Sequence, residues 1–312
     1  MKKKFRRNKI MNNVEVIGID HGWSHIKTAN DVFKTAIEEI VNEPAFYENV
    51  LEYEGKFYKV GGKRLDVKNS KVENENFYLL TLAALAKELK KRGKYEADVI
   101  LAVGLPLTRF SEEKADFIKY LSKNEKISFK FEEKLYTVKI IRVSVYPQCY
   151  AAVVNQIPTL GRKALVVDVG SWTIDYMPIL DKAPDDSKCD TQNEGLIKCM
   201  NGMKRKSMRL MNRDMDEVDI EEYLLTGDTS LGEKYKKIID TEITRFTDTV
   251  YNSMIESGYN LDNTPVIFVG GGARVIKNFG KYKINNVKYV FDVKANAKGY
   301  ETLARILLRN EW

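Results

Sequence analysis

Apolar positions follow two rhythms along this chain. Short blocks of β-branched residues alternate with longer stretches in which apolar residues recur every three or four positions, the pattern of α/β layers. "VEVIGI", residues 14–19, reads as a buried strand that runs into Asp20, and "HIKTAN" begins a second strand after the turn. "FYENVLEYEGKFYKVGG" reads as a hairpin bent at Glu54-Gly55. "FYLLTLAALAKELKKRG" is an amphipathic helix with Lys and Arg in its last turn and Gly93 behind it. "ADVILAVGLPL" is a buried strand, and "FSEEKADFIKYLSK" is a helix for which Ser111 is the expected N-cap. "FEEKLYTVKIIRVSVYPQ" reads as two strands and "QCYAAVVNQI" as a helix.

The second half repeats the scheme. "KALVVDVG" and "WTIDYMPI" form a hairpin, and residues 181–193 read as loop from their Asp, Pro and Asn content. Helices are expected at "GLIKCMNGMKRKSMRLMNR", at "DIEEYLLTG" and across "LGEKYKKIIDTEITRFTDTVYNSMIESG". "PVIFVGGGA" is a further buried strand ending on glycines, and "GYETLARILLRNEW" is a last helix. No low-complexity linker interrupts the chain, and the expected boundary between halves falls near "NQIPTLGRK", residues 155–163.

Bulk properties change this picture little. A length of 312 residues suits two domains or one large α/β unit. No window approaches the roughly 18 continuous apolar residues of a membrane span. No apolar signal core follows the basic start "MKKKFRRNKI". The net charge of +7 suggests nucleic acid until its distribution is considered. Lys2, Lys3, Lys4, Arg6, Arg7 and Lys9 carry six of those charges, which leaves +1 from Met11 onward. Residues 1–12 therefore read as a disordered basic arm, either a weak phosphate contact or a solvated leader upstream of a start at Met11. Cys149, Cys189 and Cys199 show no paired or metal-like spacing, which fits a reducing cytoplasm.

The chemistry lies in a repeated turn. "DHGWSHIK" aligns with "DVGSWTID", matching Asp20 to Asp168, Gly22 to Gly170 and Ile26 to Ile174. A single Asp-x-Gly is an ordinary strand turn. Two matched copies, each ending a buried strand, suggest two related halves that share one cleft. N–H groups around a glycine turn form a concavity for phosphate oxygens. A carboxylate at each strand end suits Mg²⁺ held largely through water. Lys27, seven residues after Asp20, is placed to neutralise phosphate charge. Gly270, Gly271 and Gly272 would let backbone approach a ribose or a flat ring, or form a plain turn.

In this set the chain resembles the superfamily of actin, sugar kinases and DnaK-type chaperones. "GIDHGWSHIK", "YPQCYAAVV", "VVDVGSWTID", "VIFVGGGA" and "NAKGYETLA" correspond in order to the family's first phosphate loop, connecting helix, second phosphate loop, adenosine motif and second connecting helix. The short length and the "NAKGYETLA" helix start most resemble the plasmid-segregation actins of the ParM and StbA type. The resemblance implies an actin-like, ribonuclease H-like two-domain α/β fold with a nucleotide cleft between the domains. It implies a first domain over residues 13–157, with a small upper subdomain at about 31–95, and a second over 158–293. Residues 294–312 would then form a helix returning to the first domain. The implied function is a filament-forming, slowly hydrolysing ATPase, or GTPase, using ATP or GTP with Mg²⁺. It would assemble with itself and segregate plasmid or other mobile DNA through an adaptor of the ParR kind that binds a centromere-like site. A small-molecule kinase of the same fold and a non-polymerising scaffold of the FtsA kind are the alternatives.

The resemblance also implies residue roles. Asp20 and Asp168 would hold the metal's water shell, with Asp168 also polarising the attacking water. Main-chain groups at Gly22, Trp23, Ser24, Gly170, Ser171 and Trp172 would bind phosphates, with the Ser24 and Thr173 hydroxyls adding donors or only capping the turns. Gln148 stands where ParM-type relatives carry a glutamate; an amide can orient water but not take its proton, so slow hydrolysis is expected. Asp175 is a weaker catalytic candidate. Glu194, Lys198 and Lys204 lie where the superfamily contacts ribose and base. Met200, Met203, Met208 and Met211 read as core packing. Trp23 and Trp172 either wall the cleft or pack beneath it. His21 and His25 flank the first turn without a third ligand, so histidine is not expected to bind metal.

Overall fold

The structure, a computed structural model, describes residues 14–68 and 70–311. The basic arm expected over residues 1–12 lies outside them. The chain divides into two compact units, one running to Val154 and resuming at Asn296, the other comprising Asn155–Ala295.

The first unit is built on β1 (Val14–His21), β2 (His25–Thr28), β3 (Val32–Lys34), β4 (Ile37–Ile40), β5 (Val50–Tyr53), β6 (Lys56–Val60), β7 (Glu96–Leu105), β8 (Lys126–Phe131) and β9 (Lys134–Pro147). They form one sheet in the order β3-β2-β1-β7-β9-β8-β5-β6-β4. β1, β7 and β9 pair in parallel, and the nearly unbroken apolar runs of β1 and β7 reflect burial on both faces. One face packs against α1 (Asn76–Lys91), whose Leu80, Leu82, Ala83 and Leu85 are wholly buried with Ile17, Ile19 and Leu101. On the other face, Val16, Ile100 and Ala102 meet Ala151, Tyr300 and Ala304. Ala151 belongs to the single turn α3 (Tyr150–Val153), and the other two to the last helix, Ala295–Asn310.

One arginine ties this arrangement together. Arg92, just past α1, donates to Glu15 of β1 at 2.7 Å, to Glu88 of α1 at 2.8 Å and to Glu301 of the last helix at 2.7 Å. Glu301 in turn accepts from the Gly18 amide at 3.0 Å. Burial would raise the Glu88 carboxyl, but hydrogen bonds from Thr28, Arg92 and Asn30 outweigh it and hold the group below its ordinary value. Glu15 is lowered in the same way, burial being overcome by its bonds from Lys94 and Arg92.

Several local expectations change. Ser111 lies inside α2 (Phe110–Leu121), because a 3₁₀ turn at Leu107–Arg109 leads directly into the helix after Pro106. The segment expected as two strands is a hairpin turn followed by the single strand β9. Glu132 and Glu133 form the turn, both at positive φ without a glycine or asparagine to announce it. Ile141 is the extra residue of a β-bulge opposite Val99 and Ile100, and it stands 45% exposed. The helix expected at "QCYAAVVNQI" shrinks to α3, followed by a 3₁₀ turn at Ile157–Thr159 that carries Pro158.

The second unit holds β10 (Lys163–Val169), β11 (Ile174–Leu180), β12 (Ala183–Pro184), β13 (Asp190–Gln192), β14 (Val266–Val269) and β15 (Val287–Tyr289). The order is β12-β11-β10-β14-β15, with β13 also paired to β11. Residues 181–193, expected as loop, thus supply two short strands. α4 (Leu196–Met211), α5 (Glu217–Thr226), α6 (Glu233–Glu256) and α7 (Ala273–Phe279) complete the unit. Met200 and Met203 of α4 enter the core and Met211 packs against it, whereas Met208 is 48% exposed and does not.

Replacing Arg92 by Met would leave the Glu88 carboxylate buried without its cation. The expected cost is about 3–5 kcal/mol at neutral pH, read by urea unfolding. Because these carboxyls are lowered in the fold, their contribution is present above the ordinary value of 4.5 and drains as pH falls through the lowered values. The wild type should therefore lose more stability than the variant on acidification through that window.

Candidate functional site

Each unit carries one acidic glycine turn, and each turn is held from behind. In the first unit β1 and β2 pair antiparallel with Asp20 opposite Lys27 and His21 opposite Ile26. This register places the Lys27 ammonium 3.0 Å from Asp20 Oδ2. The Gln148 amide nitrogen donates to Asp20 Oδ1 at 3.3 Å. Asp20 is only 3% exposed. Burial alone would raise its carboxyl; the charge and hydrogen bond of Lys27, with the charge of Lys71, outweigh burial and hold it below the usual range. The result is a buried, ionised carboxylate at the end of a strand.

Between Asp20 and Lys27, the turn residues Gly22, Trp23 and Ser24 have their carbonyl edge fixed by Thr35. Its hydroxyl donates to the Gly22 carbonyl at 2.6 Å and its amide to the Ser24 carbonyl at 2.9 Å. What the turn can offer an anion is its N–H edge. Trp23 packs edge-on against Phe77 at 5.1 Å, beside the core of this unit. The chain alternates at His21, whose ring turns into the core. Its Nε2 meets the Thr81 hydroxyl at 2.8 Å, and the ring sits edge-on to Phe117 at 5.4 Å. Burial, then the charge of Lys71, push the imidazole down to about 3, so it is neutral.

Gln148 is positioned by an uncommon bend. Cys149 has φ 60° and ψ −60°, and the Tyr150 amide donates to the Gln148 carbonyl at 2.5 Å. This is a γ-turn of the positive-φ kind, which stores strain. The Gln148 amide in turn donates to the Leu105 carbonyl at 2.9 Å, so the turn is pinned to the end of β7.

In the second unit, β10 and β11 pair so that Asp168 faces Asp175 and Val169 faces Ile174. Gly170, Ser171, Trp172 and Thr173 make the bend, closed by the Gly170 amide on the Thr173 carbonyl at 2.9 Å. Here the entry to α4 holds the carbonyl edge. The amides of Gly195, Leu196 and Ile197 donate to the carbonyls of Trp172, Gly170 and Ser171. Asp175 accepts from the Thr173 hydroxyl at 3.1 Å and the Thr191 hydroxyl at 2.6 Å. The Thr173 hydroxyl is therefore engaged with Asp175, and Asp175 with the hairpin. The glycine triplet adjoins this bend: the Gly272 amide donates to the Val169 carbonyl at 2.9 Å, and α7 starts behind it. Gly270 has φ +83°, and a Cβ there would lie 2.3 Å from Asp168 Oδ1. Gly271 faces open space. Glu194 and Lys198 form an exposed i, i+4 ion pair at 2.5 Å, and Lys204 lies 3.7 Å from Asp214.

These residues fit a metal-bound polyphosphate. A Cβ at Gly22 would lie 2.7 Å from the His25 carbonyl, so this tight bend needs a glycine. The buried Asp20 is charged. Among the described residues no three His, Cys, Asp or Glu side chains gather into an all-protein cage. Mg²⁺ needs none, since it keeps several waters and takes one or two carboxylates plus phosphate. Sequence reasoning missed Thr35, Thr191, the α4 entry and Lys71. Among these only Lys71 carries a charge, and its distance along the chain from Asp20 hid it.

Residues 18–150 match the sequence profile of the family described as actin like proteins N terminal domain. No curated protein matches the sequence. Among solved structures, Ta0583, an archaeal actin homolog in complex with ADP, is 20% identical with a TM-score of 0.72, the match covering 93% of this chain and 99% of that one. Bacillus thuringiensis ParM with ATP is 15% identical at a TM-score of 0.67, covering 96% and 100%. The Alp12 filament structure is 17% identical at 0.70, covering 95% and 99%. The two-sheet α/β architecture is the actin-like fold.

Gly270→Ala tests the bend around Asp168. A methyl group must there both adopt a positive φ and displace the Asp168 carboxylate. The expected loss is about 1–3 kcal/mol in urea unfolding, whereas Gly271→Ala, at an open position, should stay within about 1 kcal/mol.

Proposed function

We propose that this actin-like protein is a nucleotide-dependent, filament-forming ATPase, with GTP as the alternative nucleotide, and that it works in the cytoplasm. The single observation that carries this reading is the duplicated device: a carboxylate-ended strand and a glycine turn whose carbonyls are fixed from behind, once in each unit. Each is the kind of turn that suits the phosphates of a metal-bound nucleoside triphosphate. The complexes of similar structures with ADP and ATP support nucleotide as the ligand, and the Alp12 filament supports assembly of the chain with itself.

In this reading the amides of Gly22, Trp23, Ser24, Ser171 and Trp172 bind phosphate oxygens, while Gly170, whose own amide closes the bend on the Thr173 carbonyl, supplies the tight turn. Lys27 neutralises phosphate charge from its place beside Asp20. Asp20 and Asp168 hold the water shell of Mg²⁺, which supplies charge neutralisation at the phosphates. Gln148 orients the attacking water, and Asp168 polarises it. Asp175 is a second carboxylate for that water only if the two hydroxyls it accepts from are released, which makes its role one of holding the hairpin. Gly270, Gly271 and Gly272 receive the nucleoside, with Glu194 and Lys198 at its rim. Assembly serves the segregation of plasmid or other mobile DNA through an adaptor of the ParR kind, which supplies the contact with centromere-like DNA. No helix among the described residues is long and apolar enough to cross a membrane.

Light scattering after addition of ATP or GTP with Mg²⁺ tests the whole reading. Assembly should appear with nucleotide and reverse as phosphate is released, and electron microscopy should show filaments. Absence of assembly with every nucleotide would turn the reading toward a non-polymerising scaffold, and phosphate transfer to an added small molecule would turn it toward a kinase.

Asp168→Ala is expected to lower phosphate release on the order of 100-fold with the fold intact by circular dichroism. Gln148→Ala is expected to slow turnover by up to about 100-fold and to lengthen filament lifetime. Wild-type turnover in either variant would remove that residue from the mechanism.

A further inference from the structure

Charge is sorted sharply along one stretch of the second unit. Residues 195–213 hold six basic side chains and no acid, and residues 214–232 hold seven acids and no base. The first stretch is α4 with the turn behind it, and the second is α5 with its flanking turns. The inner side of α4 is engaged. Met200, Met203 and Ser207 are buried, Lys206 reaches Glu242 at 3.1 Å and Lys204 lies 3.7 Å from Asp214. On its outer side Arg205, Met208 and Arg209 stand at helical spacing, with Leu210 and Arg213 beside them, and all five are exposed. Arg205, Arg209 and Arg213 make no ion pair among the described residues. α5 presents the opposite surface. Ile220, Tyr223 and Leu224 form its buried side, while Val218, Glu222 and Leu225, at i, i+4 and i+7, form an exposed one, with Val218 66% exposed. The two outer faces share one make-up, apolar residues set among charges, with opposite sign.

From this complementarity we propose that the outer face of α4 docks on the outer face of α5 in a second copy of the chain, and that this contact joins copies in the filament. The inference rests on the filament reading above and supplies one of its surfaces. Two different patches meet, so the contact is heterologous: every added copy leaves a fresh face of each kind, and growth continues wherever the rotation does not close a ring. The apolar residues give the contact its dehydrated part, and the opposite charges around them set orientation and speed encounter. Two α4 faces repel each other, as do two α5 faces, which disfavours a closed dimer through either patch alone. α4 is also the helix whose first amides hold the carbonyls of the second turn, and a Cβ at Gly195 would lie 2.3 Å from the Trp172 backbone. The docking face and that candidate phosphate turn therefore belong to one tightly seated element, which fits assembly that answers to nucleotide.

Two sign-reversed variants of the full chain provide the test, assayed by sedimentation with Mg²⁺ and the nucleotide that assembles the wild type. Arg205→Glu with Arg209→Glu makes the α4 face acidic, and Asp219→Lys with Glu222→Lys makes the α5 face basic. Each alone should raise the critical concentration by about 10-fold or more, with circular dichroism and calorimetric nucleotide affinity unchanged. An equimolar mixture should recover assembly, because the two altered faces match each other and the two unaltered faces still match. Wild-type assembly of either variant alone would overturn the proposal, and so would a mixture of folded variants that stays unassembled. Should a reversal unfold the chain, Arg209→Gln and Glu222→Gln replace it, each expected to raise the critical concentration about 3-fold and to weaken its salt dependence. No change in either of these would overturn the proposal as well. Retained assembly of the Arg205→Glu, Arg209→Glu variant with loss of duplex DNA binding would overturn it and give the α4 face to nucleic acid. A wild type that fails to assemble with any nucleotide would remove the filament reading itself, a result separable from the others.

Discussion

The candidate site of the first unit depends on keeping one carboxylate ionised where water scarcely reaches. Asp20 ends β1 at 3% exposure, and desolvation disfavours its charged form. The antiparallel register answers this by placing Lys27 directly opposite, and Gln148 reaches the other oxygen. Register is therefore chemistry here. A one-residue slip of β2 would swing Lys27 to the other face, bring Ile26 or Thr28 opposite Asp20 and leave a buried anion without its cation. The wholly buried Ile26 makes such a slip costly, since it would be turned out of the core as well. The core that specifies the strand pair also specifies the charge pair.

The two units reach the same local result by different parts. In the first, a single threonine on the far side of the hairpin takes two turn carbonyls. In the second, three successive amides at the entry to α4 do so. Backbone carbonyls repel anions, so engaging them elsewhere is a precondition for a turn that presents only N–H groups. Using the first amides of a helix meets two needs at once, because those donors lack intrahelical partners. Asp175 illustrates the same economy. Facing Asp168 across the hairpin it would be a like-charge neighbour, and two threonine hydroxyls supply it with donors.

Much of this was legible in the sequence because it is local. Strands that end on Asp20 and Asp168, the glycine turns after them, and the glycine triplet after "VIFV" all carry their signal within eight residues. The helices were legible from periodicity, and the actin-like fold from the order of the motifs. What stayed hidden is long-range or lacks a marker residue. Thr35, Thr191 and Lys71 act on turns 11 to 51 residues away, and nothing in their own neighbourhoods announces it. The Glu132-Glu133 turn has no glycine, and nothing in the sequence around Ile141 marks the bulge there. Ser111 has the composition of a cap, but Pro106 starts the helical winding earlier. Glu194 and Lys198 read as ligand contacts from their place in the order of motifs, yet four-residue spacing on one helical turn also brings them to each other.

Gln148 gains a direction from its surroundings that sequence could not assign. Its amide nitrogen is committed to Asp20, and its backbone is locked by the γ-turn at Cys149 and by the Leu105 carbonyl. The side chain thereby turns its nitrogen toward Asp20, and its carbonyl oxygen is the acceptor it has to offer. An acceptor can align a water by taking one of its protons in a hydrogen bond, but an amide oxygen is too weak a base to remove that proton. A carboxylate in the same place would be repelled by Asp20, with two anions competing for Lys27. Glutamine at position 148 avoids that repulsion, and an amide there could orient a water without deprotonating it.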